Sequence, residues 1–273
     1  MAPFLAPAFR LLLVVALAAA TGGQVAACGA DSDCSVAGGS YRIALPETGG
    51  GEASGAIIFL HGYGGSPEDI MRFAALGDAA GRLGVALVAP RGEDKSWNLP
   101  GAFSGGRDDI AFIDSVARDA VSRFRVDPNR ILVSGFSVGG SMVWYVACAE
   151  GRRYAGYAPI AGAFWEPYVD GCRLPLPTIR HVHGTADETV PLEGRKLRVA
   201  TQGNLFRSFE LLRRFSQCTG GLAGADVEGD LTCEHQTCGG NEQELCLHAG
   251  GHSVRAEWIE EAWRQIVADG AWH

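Results

Sequence analysis

The chain has 273 residues, 47 % of them hydrophobic, with 31 acidic side chains against 23 lysines and arginines and a formal net charge of −8. That balance disfavours nucleic acid and anionic membranes as partners.

Residues 1–27 do not read as part of a fold. Arg10, the apolar run 11–20 and the small-residue end at Ala26-Ala27 describe a secretory signal peptide, leaving 28–273 as the mature chain. The apolar run is too short to cross a bilayer, and no later segment is longer, so no stable membrane span is expected. Val25-Ala26-Ala27-Cys28 also fits lipoprotein cleavage with acylation at Cys28. The even count of eight cysteines argues against it, because lipidation would strand one thiol. A secreted or periplasmic location follows, with the cysteines in disulfides.

Strand-like runs at 41–45, 56–60, 85–89, 130–134, 156–160, 179–183 and 244–248 alternate with helical ones. The clearest helix is the 3.6-residue spacing of Ile110, Ile113, Val116, Ala117, Ala120, Val121 and Phe124. This alternation predicts an α/β fold: a mainly parallel, doubly wound sheet in a single domain. No repeats and no linker rich in proline, serine or threonine interrupt it.

Just past 56–60 the chain reads His61-Gly62-Tyr63-Gly64-Gly65-Ser66-Pro67-Glu68-Asp69. Ser66 as cap, Pro67 in the first turn and Asp69 mark a helix start. Three glycines in four positions exceed what a β-to-α turn needs and suit backbone N–H groups aimed at an oxyanion. The N–H groups of Tyr63 and Val138 are assigned as the two donors, and His61 is expected to orient the loop. Trp97, in a loop at the same sheet edge, and Phe164-Trp165, after 156–160, are candidate walls of a substrate cleft, with core packing as the alternative use.

The most specific signal is Gly135-Phe136-Ser137-Val138-Gly139, preceded by the aliphatic run 131–133 and followed by the helix-compatible run 142–149. G-x-S-x-G between a strand and a helix puts a serine on a strained turn at a helix N-terminus, with glycines where side chains would collide. Such a serine needs a base and an orienting acid. Thr178 to His183 reads as a strand, and the loop after it carries Asp187, on the sheet edge that also holds the serine turn. Asp187 is the expected acid, with a turn cap as its alternative role and Glu188 as local rival. Among seven histidines, His252 is the expected base. It follows the hinge Gly250-Gly251, whereas His248 is still in a strand and His181 and His183 are expected to pack or cap. The short charged run Arg195 to Arg198 reads as solvated.

Proximity pairs Cys28 with Cys34 and Cys148 with Cys172. Cys218, Cys233, Cys238 and Cys246 form a local set stapling an excursion before the histidine loop, although the formal possibilities number 105. A zinc site from that set plus His235 is the rival reading; no metal and no cofactor are expected.

The motifs HGYGGS (61–66), RDDIAFI (107–113), DPNRILVSGFSVGGSM (127–142), HGTADETVP (183–191) and GGH (250–252) together resemble the polyhydroxybutyrate depolymerase and feruloyl esterase branch of the α/β-hydrolases. The likeness runs from about Tyr41 to the C-terminus. It implies an α/β-hydrolase fold and a secreted serine esterase with Ser137, Asp187 and His252 in catalysis. Two departures are the Ser253-Val254 that follows His252, where many relatives have Trp-Pro, and the cysteine-rich excursion. The expected partners are small-molecule or oligomeric esters, of hydroxyalkanoate or feruloyl type. A prolyl-oligopeptidase-like peptidase and a non-catalytic binding protein on the same fold are the alternatives.

Overall fold

The computed structural model describes residues 1, 28–47, 53–102, 105–216, 221–238 and 241–268. The expected signal segment, Cys218 and His273 lie outside these residues. Among the described residues, chain order gives thirteen strands: β1 (Cys34–Val36), β2 (Gly39–Ala44), β3 (Ala56–Leu60), β4 (Ala86–Pro90), β5 (Ile131–Phe136), β6 (Gly156–Ile160), β7 (Trp165–Glu166), β8 (Ile179–Gly184), β9 (Arg195–Lys196), β10 (Thr201–Gln202), β11 (Ala223–Glu228), β12 (Leu231–Cys238) and β13 (Asn241–His248). The α-helices are α1 (Pro67–Arg72), α2 (Ala74–Leu83), α3 (Asp109–Phe124), α4 (Val138–Glu150), α5 (Leu205–Phe215) and α6 (Ala256–Trp263).

Ten strands form one sheet in the order β1-β2-β4-β3-β5-β6-β8-β13-β12-β11. The six from β4 to β13 run parallel; β1 and β2 on one side and β12 and β11 on the other pair antiparallel. Every residue of β3, β4 and β6 is buried, as strands covered on both faces require. The period-2 alternation splits β3 between two cores. Ile58 and Leu60 pack with Phe112 and Val116 of α3, Val143 of α4 and Phe209 of α5. Ile57 and Phe59 pack with Leu76 of α2 and Ile259 of α6. This is the doubly wound arrangement.

Helix starts follow local chemistry. Ser66 caps α1 by accepting the Asp69 N–H, Asp108 caps α3 through the Ala111 N–H, and Asn204 caps α5 through the Arg207 N–H. Within the excursion, β12 and β11 extend the main sheet from β13. Among the described residues, disulfides close Cys28–Cys34, Cys148–Cys172 and Cys233–Cys246. The third joins directly opposed residues of β12 and β13, so these two sulfurs are bonded to each other and cannot be thiolate ligands. His235 on β12 is partly exposed, 3.9 Å from Asp226.

Candidate active site

Ser137 stands between β5 and α4 with φ 60° and ψ −122°, a conformation that costs a non-glycine residue free energy. Its flanking glycines are required. A Cβ on Gly139 would lie 2.2 Å from the Leu60 carbonyl oxygen, and one on Gly135 would lie 2.7 Å from that of Gly139. The turn is held by the Ser137 N–H donating to Ile160 O at 2.9 Å. A serine at a helix N-cap ordinarily spends its hydroxyl on a backbone N–H. Ser137 makes no such bond, so its Oγ is left at the positive end of α4.

The β8-to-β9 loop and the loop after β13 bring two further groups together. His252 Nδ1 lies 2.7 Å from Asp187 Oδ2, and Asp187 Oδ1 accepts the N–H groups of Thr189 and Val190 at 2.8 Å each. Burial works to raise the Asp187 carboxyl. The hydrogen bonds from His183, Val190 and His252 outweigh it and hold the group well below the ordinary carboxylate range. Glu188 is exposed and its carbonyl accepts from Arg195, which leaves Asp187 as the acid beside His252. The His252 ring lies 4.5 Å from the ring of Phe136, next to the serine. Ser137 Oγ and His252 Nε2 share no hydrogen bond here; bonds of this kind often tighten only when substrate seats. His248 is at the end of β13, accepting the Gly250 N–H on Nδ1 and stacking on Trp258 at 4.8 Å.

The glycine loop 61–66 lies against the serine turn: a Cβ on Gly62 would be 3.5 Å from that of Ser137. His61 is buried, and both of its ring nitrogens are occupied. Nε2 accepts the Gly92 N–H at 3.0 Å, so Nδ1 carries the proton and donates to Gly62 O at 2.9 Å. Burial lowers its basicity. Trp97 Nε1 donates to His61 O, and the Gly64 N–H donates to Lys95 O. These bonds join the two loops.

A cavity of about 530 Å³ opens beside Ser137, with Tyr63, Trp97, Val138, Trp165 and Val190 in its lining. Trp165 Nε1 donates to Ser141 Oγ, which fixes the indole. Phe164 departs from expectation. It is fully buried, packs on Trp144 and Tyr145, and does not line the cavity. Successive residues of an extended segment face opposite ways, so only one of the Phe164-Trp165 pair reaches the cleft. The charged residues of the run 195–198 are exposed, as expected, and Arg195 and Leu197 also line the cavity. Arg195 is held by Gln202 Oε1 and Glu188 O, in the small sheet β7-β10-β9. Strands of two residues leave no periodic trace in sequence.

No family model matches the sequence. Over 170 residues, 58 % of this chain, it is 31 % identical to feruloyl esterase B of Piromyces equi, covering 31 % of that protein. Over 163 residues, again 58 % of this chain, it is 28 % identical to feruloyl esterase C of Emericella nidulans, covering 58 %. The chain therefore spans less than two thirds of the length of either relative. Among solved structures, an acetyl xylan esterase from Aspergillus awamori superposes with a TM-score of 0.62 at 13 % identity, covering 82 % of this chain and 92 % of that one.

Proposed function

We propose that this chain, which has the α/β-hydrolase fold, is an exported serine esterase acting on carboxylic esters through Ser137, His252 and Asp187. The observation that carries the reading is the Asp187–His252 pair at 2.7 Å on the same sheet edge as a serine freed from capping. His252 Nε2 takes the Ser137 hydroxyl proton as Oγ attacks the ester carbonyl carbon. The N–H groups of Val138 and Tyr63 receive the developing oxyanion. The tetrahedral intermediate collapses with the alcohol leaving, and His252 protonates that alcohol. Water then attacks the acyl-enzyme, giving its proton to His252, and the acid departs as Ser137 is restored. Asp187, held ionised, keeps the proton on Nδ1 and stabilises the imidazolium.

The apolar walls Trp97, Trp165, Val190 and Leu197 suit an aromatic acyl group or a short hydroxyalkanoate oligomer, in keeping with the feruloyl esterases it resembles. Three disulfides among the described residues support an oxidising destination. No helix among those residues is long and apolar enough to cross a membrane. A fluorophosphonate probe followed by a panel of feruloyl, acetyl and hydroxybutyrate esters and a proline peptide tests the reading. Labelling at Ser137 with ester turnover is expected; an unlabelled Ser137 would remove every serine-hydrolase reading, and turnover of the peptide alone would make it a peptidase.

A further inference from the structure

Two buried histidines of β8, two residues apart and therefore on one face of the strand, stand next to Asp187 and take no part in the proton transfers above. His183 Nε2 is 2.8 Å from Val190 O and 3.4 Å from Asp187 Oδ2. A carbonyl oxygen only accepts, so Nε2 carries a hydrogen. The other nitrogen of the neutral ring, Nδ1, is then an acceptor, and His181 Nε2 lies 2.9 Å from it. His181 must therefore donate from Nε2. Its own Nδ1 is buried with no partner, in a ring packed against Trp144 and Phe209. The hydrogen bonds thus fix one tautomer for each ring, in the order His181 to His183 to the Asp187 loop.

We infer that His183 is a positioning residue for Asp187, with its own tautomer set by His181; this rests on the triad reading above. Asp187 Oδ1 is already filled by two backbone N–H groups. The His183 Nε2–H donates to Val190 O, and the same nitrogen lies 3.4 Å from Asp187 Oδ2, so the ring holds both ends of the turn 187–190 against the strand. Oδ2 is left with one direction in which to meet His252. Without that tie the carboxylate can rotate on its Oδ1 anchor, and the imidazole loses its fixed partner. His183 itself does not line the cavity, although Val190 of the turn it holds does; the main effect is expected on the chemical step, through Asp187.

The test compares wild type with His183→Leu and His183→Gln, counting active sites by fluorophosphonate titration. His183→Leu should lower kcat per labelled site on the order of 10- to 100-fold with KM within about threefold, as a misplaced catalytic group does. His183→Gln, whose side-chain amide N–H can stand where Nε2–H stood, should recover kcat to within about threefold of wild type. Wild-type kcat per site in the leucine variant overturns the inference, as does a glutamine variant as impaired as the leucine one. If wild type is not labelled at Ser137, the triad reading falls and takes the positioning role with it. Labelled wild type with an unimpaired leucine variant removes the positioning role alone. Should the leucine variant fail to fold, nitrogen NMR of wild type decides: both histidines must be Nε2–H tautomers, and a proton on His183 Nδ1 in place of Nε2 overturns the assignment.

Discussion

Asp187 and His252 are 65 residues apart in the chain and 2.7 Å apart in space. The parallel pairing of β8 with β13 makes them neighbours: its register sets His183 beside Leu247 and Gly184 beside His248. The two loops leave adjacent strand ends at one level of the sheet. Ser137 comes from β5, separated from β8 only by β6.

Ser137→Ala should abolish turnover with the fold intact. By analogy with nucleophile knockouts in other serine hydrolases, kcat should fall on the order of 10⁶-fold. Hydrolysis of a p-nitrophenyl ester and circular dichroism on the same sample check it; substantial activity in a pure, folded variant removes Ser137 as nucleophile.

His252→Ala should approach the same loss, whereas His248→Ala should cost less than about tenfold, through loosening of the Gly250 contact rather than loss of a base. The ranking of the two variants in a single ester assay is decisive. The reverse order would transfer the base to His248.

Glu68, in the first turn of α1, lies 2.6 Å from Arg91 and 3.0 Å from Arg42. The Arg91 guanidinium holds its carboxyl down at about 2, against an ordinary 4.5. An acid whose proton is bound more weakly in the folded state stabilises above its ordinary value and ceases to do so as pH falls through the folded one. Glu68→Gln should therefore be less stable than wild type by about 1 kcal/mol or less at neutral pH, the pair being partly exposed and screened. Urea melts should show that difference closing as pH falls from 4.5 to about 2. A gap of constant size across this range would rule out ionised Glu68 as its source.

Cys233 and Cys246 are fully buried and close a loop with a sequence separation of 13. Replacing both with alanine should lower unfolding free energy by about 2–3 kcal/mol. β13 runs straight into Gly250-Gly251-His252, so mild reductant should lower activity before the far-ultraviolet dichroism changes, and a chelator should do nothing. Coincident loss of activity and dichroism would show that the bond acts on the whole fold and has no separate hold on the histidine loop.

The parts legible in sequence are those written locally. Each of the seven strand-like runs became a strand of the main sheet; β3, β4 and β6 are buried throughout, which demands continuous apolar residues. The serine turn was legible because Gly135 and Gly139 have backbone where a Cβ would be. β11 was not, since its residues Ala223 to Val227 are exposed and it lies at the sheet edge, paired with β12. The contact of His183 with Asp187 escaped for a different reason: a histidine in a strand looks the same whether it fills space or holds a carboxylate. Phe164 and Trp165 are equally aromatic, and only the direction of the chain at that point separates core from cleft.

The sheet order also fixes when the site can come into being. The glycine loop after β3, the serine turn after β5 and the carboxylate after β8 all precede the imidazole, which needs β13 docked on β8 across 65 residues. A chain emerging from its N-terminus carries Ser137 well before His252, the base of the proposed triad. On that reading, a chain without β13 would lack the base that ester hydrolysis needs. On the proposed triad, the base comes last in chain order, with the pairing of β13 on β8.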